Sequence, residues 1–166
     1  MIAATLAYDK RLDKEILTLI KSSKIDKKLN LSIKDITFYN FLADKILMIC
    51  VIRHGVPYSL FDKIQNFTPF TENYWADLLD VSTKTLQRYR QDDKSFRPIQ
   101  SEKIIEMAEV TKIGLEVFGD IDKLKLWLNT PSFALGKIKP IELLKDSYGK
   151  ELVIGELTRI NYGIFV

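Results

Sequence analysis

The sequence predicts an all-α protein. Apolar residues return at three- and four-residue spacing in one segment after another, and no segment alternates with a clean period of two. Turn-forming residues are scarce, with 7 Gly and 5 Pro among 166 residues. A composition of 46% hydrophobic and 28% charged residues is that of a folded chain, long enough to bury a core as one domain or two small ones.

The elements follow in order. Ile16, Leu17, Leu19 and Ile20 are the compact apolar cluster of a lysine-rich front and mark one amphipathic helix with a polar linker after it. Lys10, Arg11, Lys14, Lys21, Lys24, Lys27, Lys28 and Lys34 around them read as a solvated face. From about Phe41 to Arg53, Leu42, Ile46, Ile49 and Cys50 recur at helical spacing, and Gly55 stops the run. Pro57 opens a helix with Leu60, Phe61 and Ile64. Thr71 caps a short helix bearing Tyr74, Trp75, Leu78 and Leu79. After Asp80 and Val81, Ser82 caps a second one, with Leu86 and Tyr89 inward.

A longer helix begins at Ser101-Glu102, carries Ile104, Ile105, Ala108 and Val110, and is closed by Gly119. Leu124, Trp127 and Leu128 share the next helix, with Asp120 and Asp122 as favourable charges at its start. A Pro131–Pro140 loop, a short Ile141–Leu144 helix and a last helix from about Gly149 complete the chain. In that last helix Val153, Leu157, Ile160 and Ile164 step along one face. Trp127 and Phe133, on either side of Pro131, read as a small core, and Gly136 and Gly149 as loop or cap positions.

Composition also excludes functions. With 25 basic against 22 acidic residues the net charge is +3, too small for a histone-like binder, so any DNA contact must be local. The bias lies at the front, with 11 basic and 7 acidic residues in 1–69. The lone Cys50 excludes an internal disulfide and a multi-cysteine zinc site. The lone His54 sits at a helix end beside Arg53, a favourable place for a cation. There is no Gly-rich phosphate loop, metal-ligand spacing or nucleophile elbow, so neither a catalytic residue, a cofactor nor a metal is expected. No apolar run reaches membrane-spanning length, and Met1–Ala7 lacks the basic start of a signal peptide, so a cytoplasmic protein is expected.

Two short helices joined by a tight turn, the second opening at a capping serine, outline a helix-turn-helix. Small Ala76 lets the helices approach, and Leu79, Val81 and Leu86 fill the joint. The outward positions would be Ser82, Thr83, Lys84, Thr85, Gln87, Arg88, Arg90 and Gln91: hydroxyl, amide and cationic groups with no acid among them, suited to phosphates and base edges. An exposed helix pair within a bundle is the competing reading. DNA half-sites usually come in pairs, so a homodimer is expected, with apolar faces of 37–67 or 101–118 supplying its interface.

The Thr83–Tyr89 segment, Gly114-Leu115-Glu116-Val117-Phe118-Gly119 and Trp127-Leu128-Asn129-Thr130-Pro131-Ser132-Phe133-Ala134-Leu135-Gly136 belong to a longer ordered set. It continues with Pro140-Ile141-Glu142-Leu143-Leu144, Tyr148-Gly149 and Leu157-Thr158-Arg159-Ile160-Asn161-Tyr162-Gly163. Together these motifs resemble the Xre/MbcA/ParS class of antitoxins over about 57–166. The resemblance implies an Xre-like DNA-binding part over 57–112 and a toxin-binding domain over 113–166, with 1–56 an unassigned helical region. It further implies that the chain is not an enzyme, that its partner is an NAD-consuming toxin with a RES domain whose pocket entrance it covers, and that it represses its own operon. A stand-alone transcription regulator, with 101–166 sensing a ligand, is the alternative.

The chain end carries large apolar groups that are costly in water unless docked, on their own domain or in a partner. Within the implied function, Arg159, Asn161, Tyr162, Ile164, Phe165 and Val166 are the expected toxin contacts, with 120–150 shaping the docking surface.

Overall fold

The computed structural model describes the backbone of residues 2–163 and the side chains of residues 10–163 apart from Asp35. Among the described residues the elements are α-helices, with two short 3₁₀ turns and no strand. The helices are α1 (Ile2–Ser22), α2 (Ile25–Leu29), α3 (Phe38–Phe41), α4 (Lys45–His54), α5 (Tyr58–Phe67), α6 (Glu72–Leu78), α7 (Thr83–Asp92), α8 (Pro98–Phe118), α9 (Ile121–Leu128), α10 (Pro140–Leu143) and α11 (Ser147–Asn161). The all-α expectation holds. The chain forms two compact units, one of 1–67 with 71–106 and one of 68–70 with 107–166, so the division falls within α8.

In the first unit, α1 buries Leu12, Ile16, Leu19 and Ile20 and packs on α5, which in turn meets α7. Deeper in, an aromatic cluster ties four segments together. The Phe61 ring meets Trp75 edge-on at 5.2 Å and Phe96 at 5.0 Å, and Phe96 lies 5.0 Å from Tyr89. Such pairs add to the stabilisation that burying these large rings gives. Because they join α5, α6, α7 and the segment after it, they fix how α7 is presented.

Three expectations change in this unit. The predicted polar linker after α1 contains α2, a 3₁₀ turn and α3, which bury Ile25, Phe38 and Phe41. The run predicted from Phe41 to Arg53 is two helices, because the Asp44 side chain accepts the Leu47 amide and caps a new start. Within α4 the buried residues are Leu47, Met48 and Val51, whereas Ile46 and Ile49 of the predicted stripe are exposed. Finally, α8 starts at Pro98 and not at Ser101: Gln100 Oε1 accepts the Arg97 amide in a capping interaction, and Ser101 is fully buried one turn in, its Oγ accepting the Val56 amide at 2.9 Å.

The second unit is built from the end of α8 with α9, α10 and α11. Asp120, expected as a favourable charge at the start of α9, also caps it by accepting two amides. Leu124 of α9 lies against Gly114 of α8, where a Cβ would sit 2.4 Å from Leu124 Cδ1. α10 and α11 meet still more closely at Gly149. Its backbone has ordinary helical geometry, so the glycine is required by close approach and not by a loop or cap. Gly136 does take the left-handed conformation, φ +70°, in the turn before the Ser132–Ile138 bridge closes. Val153 and Leu157 are fully buried as predicted, and Ile164 lies outside the described residues. Phe133, read from the sequence as core, is exposed: the 3₁₀ turn Phe133–Leu135 points Leu135 inward instead.

Candidate functional site

Two surfaces gather the residues singled out in the sequence. The first is the α6–turn–α7 pair. Leu79 ends α6, Asp80 adopts the left-handed conformation (φ +53°), the Asp80 amide donates to Asp77 O at 3.2 Å and the Val81 amide to Ala76 O at 3.0 Å. That double bond pattern is a Schellman motif, which turns the chain sharply and satisfies carbonyls the helix end would otherwise leave open. Two further C-terminal carbonyls of α6 are held from α8, Leu79 O by Gln100 Nε2 at 2.9 Å and Leu78 O by Lys103 Nζ at 3.0 Å. Thr71 and Ser82 cap α6 and α7 through the amides of Tyr74 and Thr85, as predicted. The turn is therefore rigid.

α7 buries Leu86 and leans Tyr89 against Phe96. Ser82, Lys84, Gln87, Arg88, Arg90 and Gln91 carry the outward side of the helix, with Lys84, Gln87, Arg88 and Gln91 flanked by half-buried Thr83 and Thr85. The Arg88 guanidinium donates to Thr85 Oγ1 at 3.3 Å, which lines up two of these groups on one side of the helix. Beside them Arg88, Tyr89, Asp92 and Lys94 line a small cavity of about 170 Å³, with the Lys94 ammonium 4.9 Å from the Tyr89 ring centre. The phenols of Tyr58 and Tyr74 stay protonated at any ordinary pH. Burial, reinforced by Asp77, pushes Tyr74 well above the usual tyrosine range, and burial is also the main cause of the upward shift at Tyr58. What the outward side of α7 offers is hydrogen-bond donors and positive charge on a preorganised helix, with the Asp92 carboxylate at its C-terminal end.

The second surface lies on α11. Arg159, Asn161 and Tyr162 are exposed, with the Arg159 guanidinium paired to Glu156 one turn earlier. Ile164, Phe165 and Val166 lie outside the described residues. The helix carries a feature that the sequence expectations did not include. Tyr148 (84% exposed), Leu152 (57%), Gly155, Arg159 and Tyr162 (76%) fall at alternating four- and three-residue spacing on one outward face. They extend over about 21 Å of helix at the usual rise. Gly149, Val153, Glu156 and Leu157 form the buried face. The signal was present in the sequence as a second apolar stripe offset from the first. Leu126, Phe133 and Ile138 of the same unit are exposed as well, so the unit shows water an unusual number of large apolar groups.

Among the described residues there is no cluster of His, Cys, Asp and Glu that could hold a metal ion, and no helix long and apolar enough to cross a membrane.

Comparison with known proteins matches two segments of the chain to known domains. The antitoxin Xre-like helix-turn-helix domain matches residues 50–109, and the antitoxin Xre/MbcA/ParS C-terminal toxin-binding domain matches residues 114–163. Similar proteins include an antitoxin Xre of Photorhabdus laumondii, 26% identical over 69% of this chain and 78% of that protein. An antitoxin Xre of Yersinia enterocolitica is 27% identical over the same shares. A Prs ADP-ribosylating antitoxin of a Sphingobium species is 25% identical over 75% of this chain and 84% of its own. Among solved structures, the MbcT–MbcA toxin–antitoxin complex of M. tuberculosis contains a chain of the same fold, with a TM-score of 0.54 and 22% identity over 66% of this chain and 96% of that one.

Proposed function

The chain belongs to the Xre/MbcA/ParS family of antitoxins, and from that premise we propose that it neutralises a RES-domain, NAD-consuming toxin by covering its pocket entrance and represses its own operon through α7. The observation that carries the first half is the outward stripe of α11. An uncovered row of Tyr148, Leu152 and Tyr162 with Arg159 beside it is the pattern by which a helix lies in an apolar groove of a partner, aromatic and arginine anchors at its centre. Ile164, Phe165 and Val166, which follow in the sequence, are further apolar groups that the proposal assigns to the toxin contact. A dinucleotide must enter its enzyme through a mouth of limited width, so filling the mouth blocks catalysis with no chemistry on the antitoxin's part. The chain is then a cytoplasmic binding protein and not an enzyme, with no cofactor of its own. MbcA is seen in a toxin–antitoxin complex with MbcT, which supports the same kind of partner here.

The second half rests on α7. Ser82, Thr83, Lys84, Thr85, Gln87, Arg88 and Arg90 would meet operator DNA, held at a fixed angle by the Schellman turn and the aromatic cluster. One module of this small charge binds weakly, so a homodimer on paired half-sites is part of the proposal. In functional terms 57–112 reads DNA, 113–166 binds toxin, and 1–56 supports the DNA-binding unit.

Two variants test the halves separately. Lys84→Ala/Arg88→Ala is expected to weaken binding to the DNA upstream of the chain's own coding sequence, and to reduce the salt slope by about one unit for each phosphate that the two side chains neutralise. Neutralisation of the neighbouring toxin should persist. Deleting Tyr162–Val166 should do the reverse, leaving DNA binding intact and abolishing protection in co-expression. Wild-type DNA binding by the double variant would remove α7 from the interface, and full protection by the truncated chain would remove the tail from the toxin pocket.

A further inference from the structure

α7 is anchored by packing only beyond its first turn. Leu86 is buried and Tyr89 leans on Phe96, whereas none of Ser82, Thr83, Lys84 and Thr85 is buried. In a helix-turn-helix it is the N-terminal end of the second helix that meets base edges. The position of that end is therefore set by what holds the turn before it. The Asp80 and Val81 amides donate to carbonyls of α6, so the turn follows the end of α6, and the end of α6 is held in its turn by Gln100.

Gln100 is buried (4% exposed) and uses both ends of its side-chain amide. Its Oε1 accepts the Arg97 amide at 3.3 Å, and its Nε2 donates at 2.9 Å to the carbonyl of Leu79, the residue that ends α6. A backbone N–H can only donate and a carbonyl can only accept, so these two partners allow one orientation of the side chain. Among the described residues no backbone amide reaches Leu79 O, which leaves the Gln100 bond to hold it. Lys103, one turn further along α8, holds the neighbouring Leu78 O in the same way. An apolar side chain of equal volume would be easier to bury but would let the end of α6 slide along α8.

We propose that Gln100 is a positioning residue for base reading: through Leu79 O it fixes the angle at which the first turn of α7 enters the groove. The inference rests on the reading of α7 as the DNA-contacting helix. Attraction to phosphates tolerates a change of angle, because it depends on charge and counterion release, but hydrogen bonds to base edges do not. Gln100 therefore bears on which sequence is bound more than on whether DNA is bound.

The experiment uses the full chain with two duplexes of equal length, one of the DNA upstream of its coding sequence and one of random sequence. Gln100→Met changes no charge. It should lower affinity for the upstream duplex about tenfold, the scale of one base contact, with affinity for the random duplex and both salt slopes as in the wild type. Hydrogen exchange at the Asp80 and Val81 amides should quicken several-fold, while amides of α11 exchange as before. A merely structural role would lower the melting temperature and leave the ratio of the two affinities in place. Should Gln100→Met melt too early to assay, Gln100→Glu keeps the acceptor for the Arg97 amide and removes the donor. At about pH 9, where even a buried carboxyl ionises with the Lys103 ammonium on the next carbonyl, it should lower the same ratio relative to the wild type at that pH. An unchanged ratio, or equal weakening on both duplexes, overturns the role of Gln100 and leaves α7 as the DNA-contacting helix. Wild-type DNA binding by Lys84→Ala/Arg88→Ala would remove α7 itself, and this inference with it.

Discussion

Alanine at Gly149 should unfold the C-terminal unit and abolish toxin neutralisation while leaving most DNA binding in place. A Cβ at this position would sit 1.9 Å from the carbonyl oxygen of Leu143, 2.7 Å from its carbonyl carbon and 3.0 Å from its Cα. All three are backbone atoms, so no side chain can rotate away and α10 must separate from α11. Overpacking at a buried site costs about 1–3 kcal/mol where neighbours can shift, and a clash with fixed backbone lies at or above the top of that range. The unit is small, and its core of Leu124, Leu128, Leu144, Val153 and Leu157 depends on α10 and α11 staying together. Gly114→Ala is the control. There the nearest atoms belong to the flexible Leu124 side chain, which can move, so the destabilisation should be smaller. Thermal unfolding followed by circular dichroism, alongside co-expression with the toxin, checks the pair. Equal melting temperatures for Gly149→Ala and the wild type would mean that the two helices are not packed as closely as described.

Aspartate at Leu152 and aspartate at Val153, one residue apart, should fail in opposite ways. Leu152 faces outward on α11 and already meets water, so a carboxylate there costs the fold little; it would, however, place an unpaired charge in the centre of the proposed toxin interface. Truncating a central anchor of this kind costs about 2 kcal/mol or more of binding, and a buried charge adds to that cost. Protection in co-expression should therefore disappear with the melting temperature unchanged. Val153 is fully buried, and a carboxylate there has no partner to offset its desolvation. That variant should melt far below the wild type and fail to bind toxin only because the unit is unfolded. Binding of purified toxin by isothermal titration separates the cases, and a folded Leu152→Asp protein that binds toxin as tightly as the wild type would take the α11 stripe out of the interface.

The sequence by itself determined the features whose physics is contained within one or two helical turns. Thr71 and Ser82 cap their helices as predicted, and Asp120, predicted as a favourable charge at a helix start, caps its helix too, because each accepts amides only two or three residues ahead. The turn between α6 and α7, the inward Leu86 and the polar outward set from Ser82 to Gln91 follow from the same short-range chemistry. The ordered motifs after Gly114 were legible too, since they needed only residue order.

Tertiary structure decided which apolar residues face inward. Ile46 and Ile49 have helical spacing as good as that of Leu47 and Val51, yet α4 packs on α2 and α3 through the latter. Periodicity places residues on a common face but does not name the face that finds a neighbour. The same holds for α11, where Tyr148, Leu152 and Tyr162 form a stripe as regular as Val153 and Leu157, and for Phe133, which gives way to Leu135. Ser101, read from the sequence as the start of a helix, is instead buried one turn inside it, where its Oγ accepts the amide of Val56, 45 residues earlier in the chain. Gly149 looks like a cap, and only the approach of Leu143 reveals why no side chain fits. In each case the deciding neighbour comes from an element that local sequence does not specify, and burial is a property of the pair of surfaces that meet and not of either one alone.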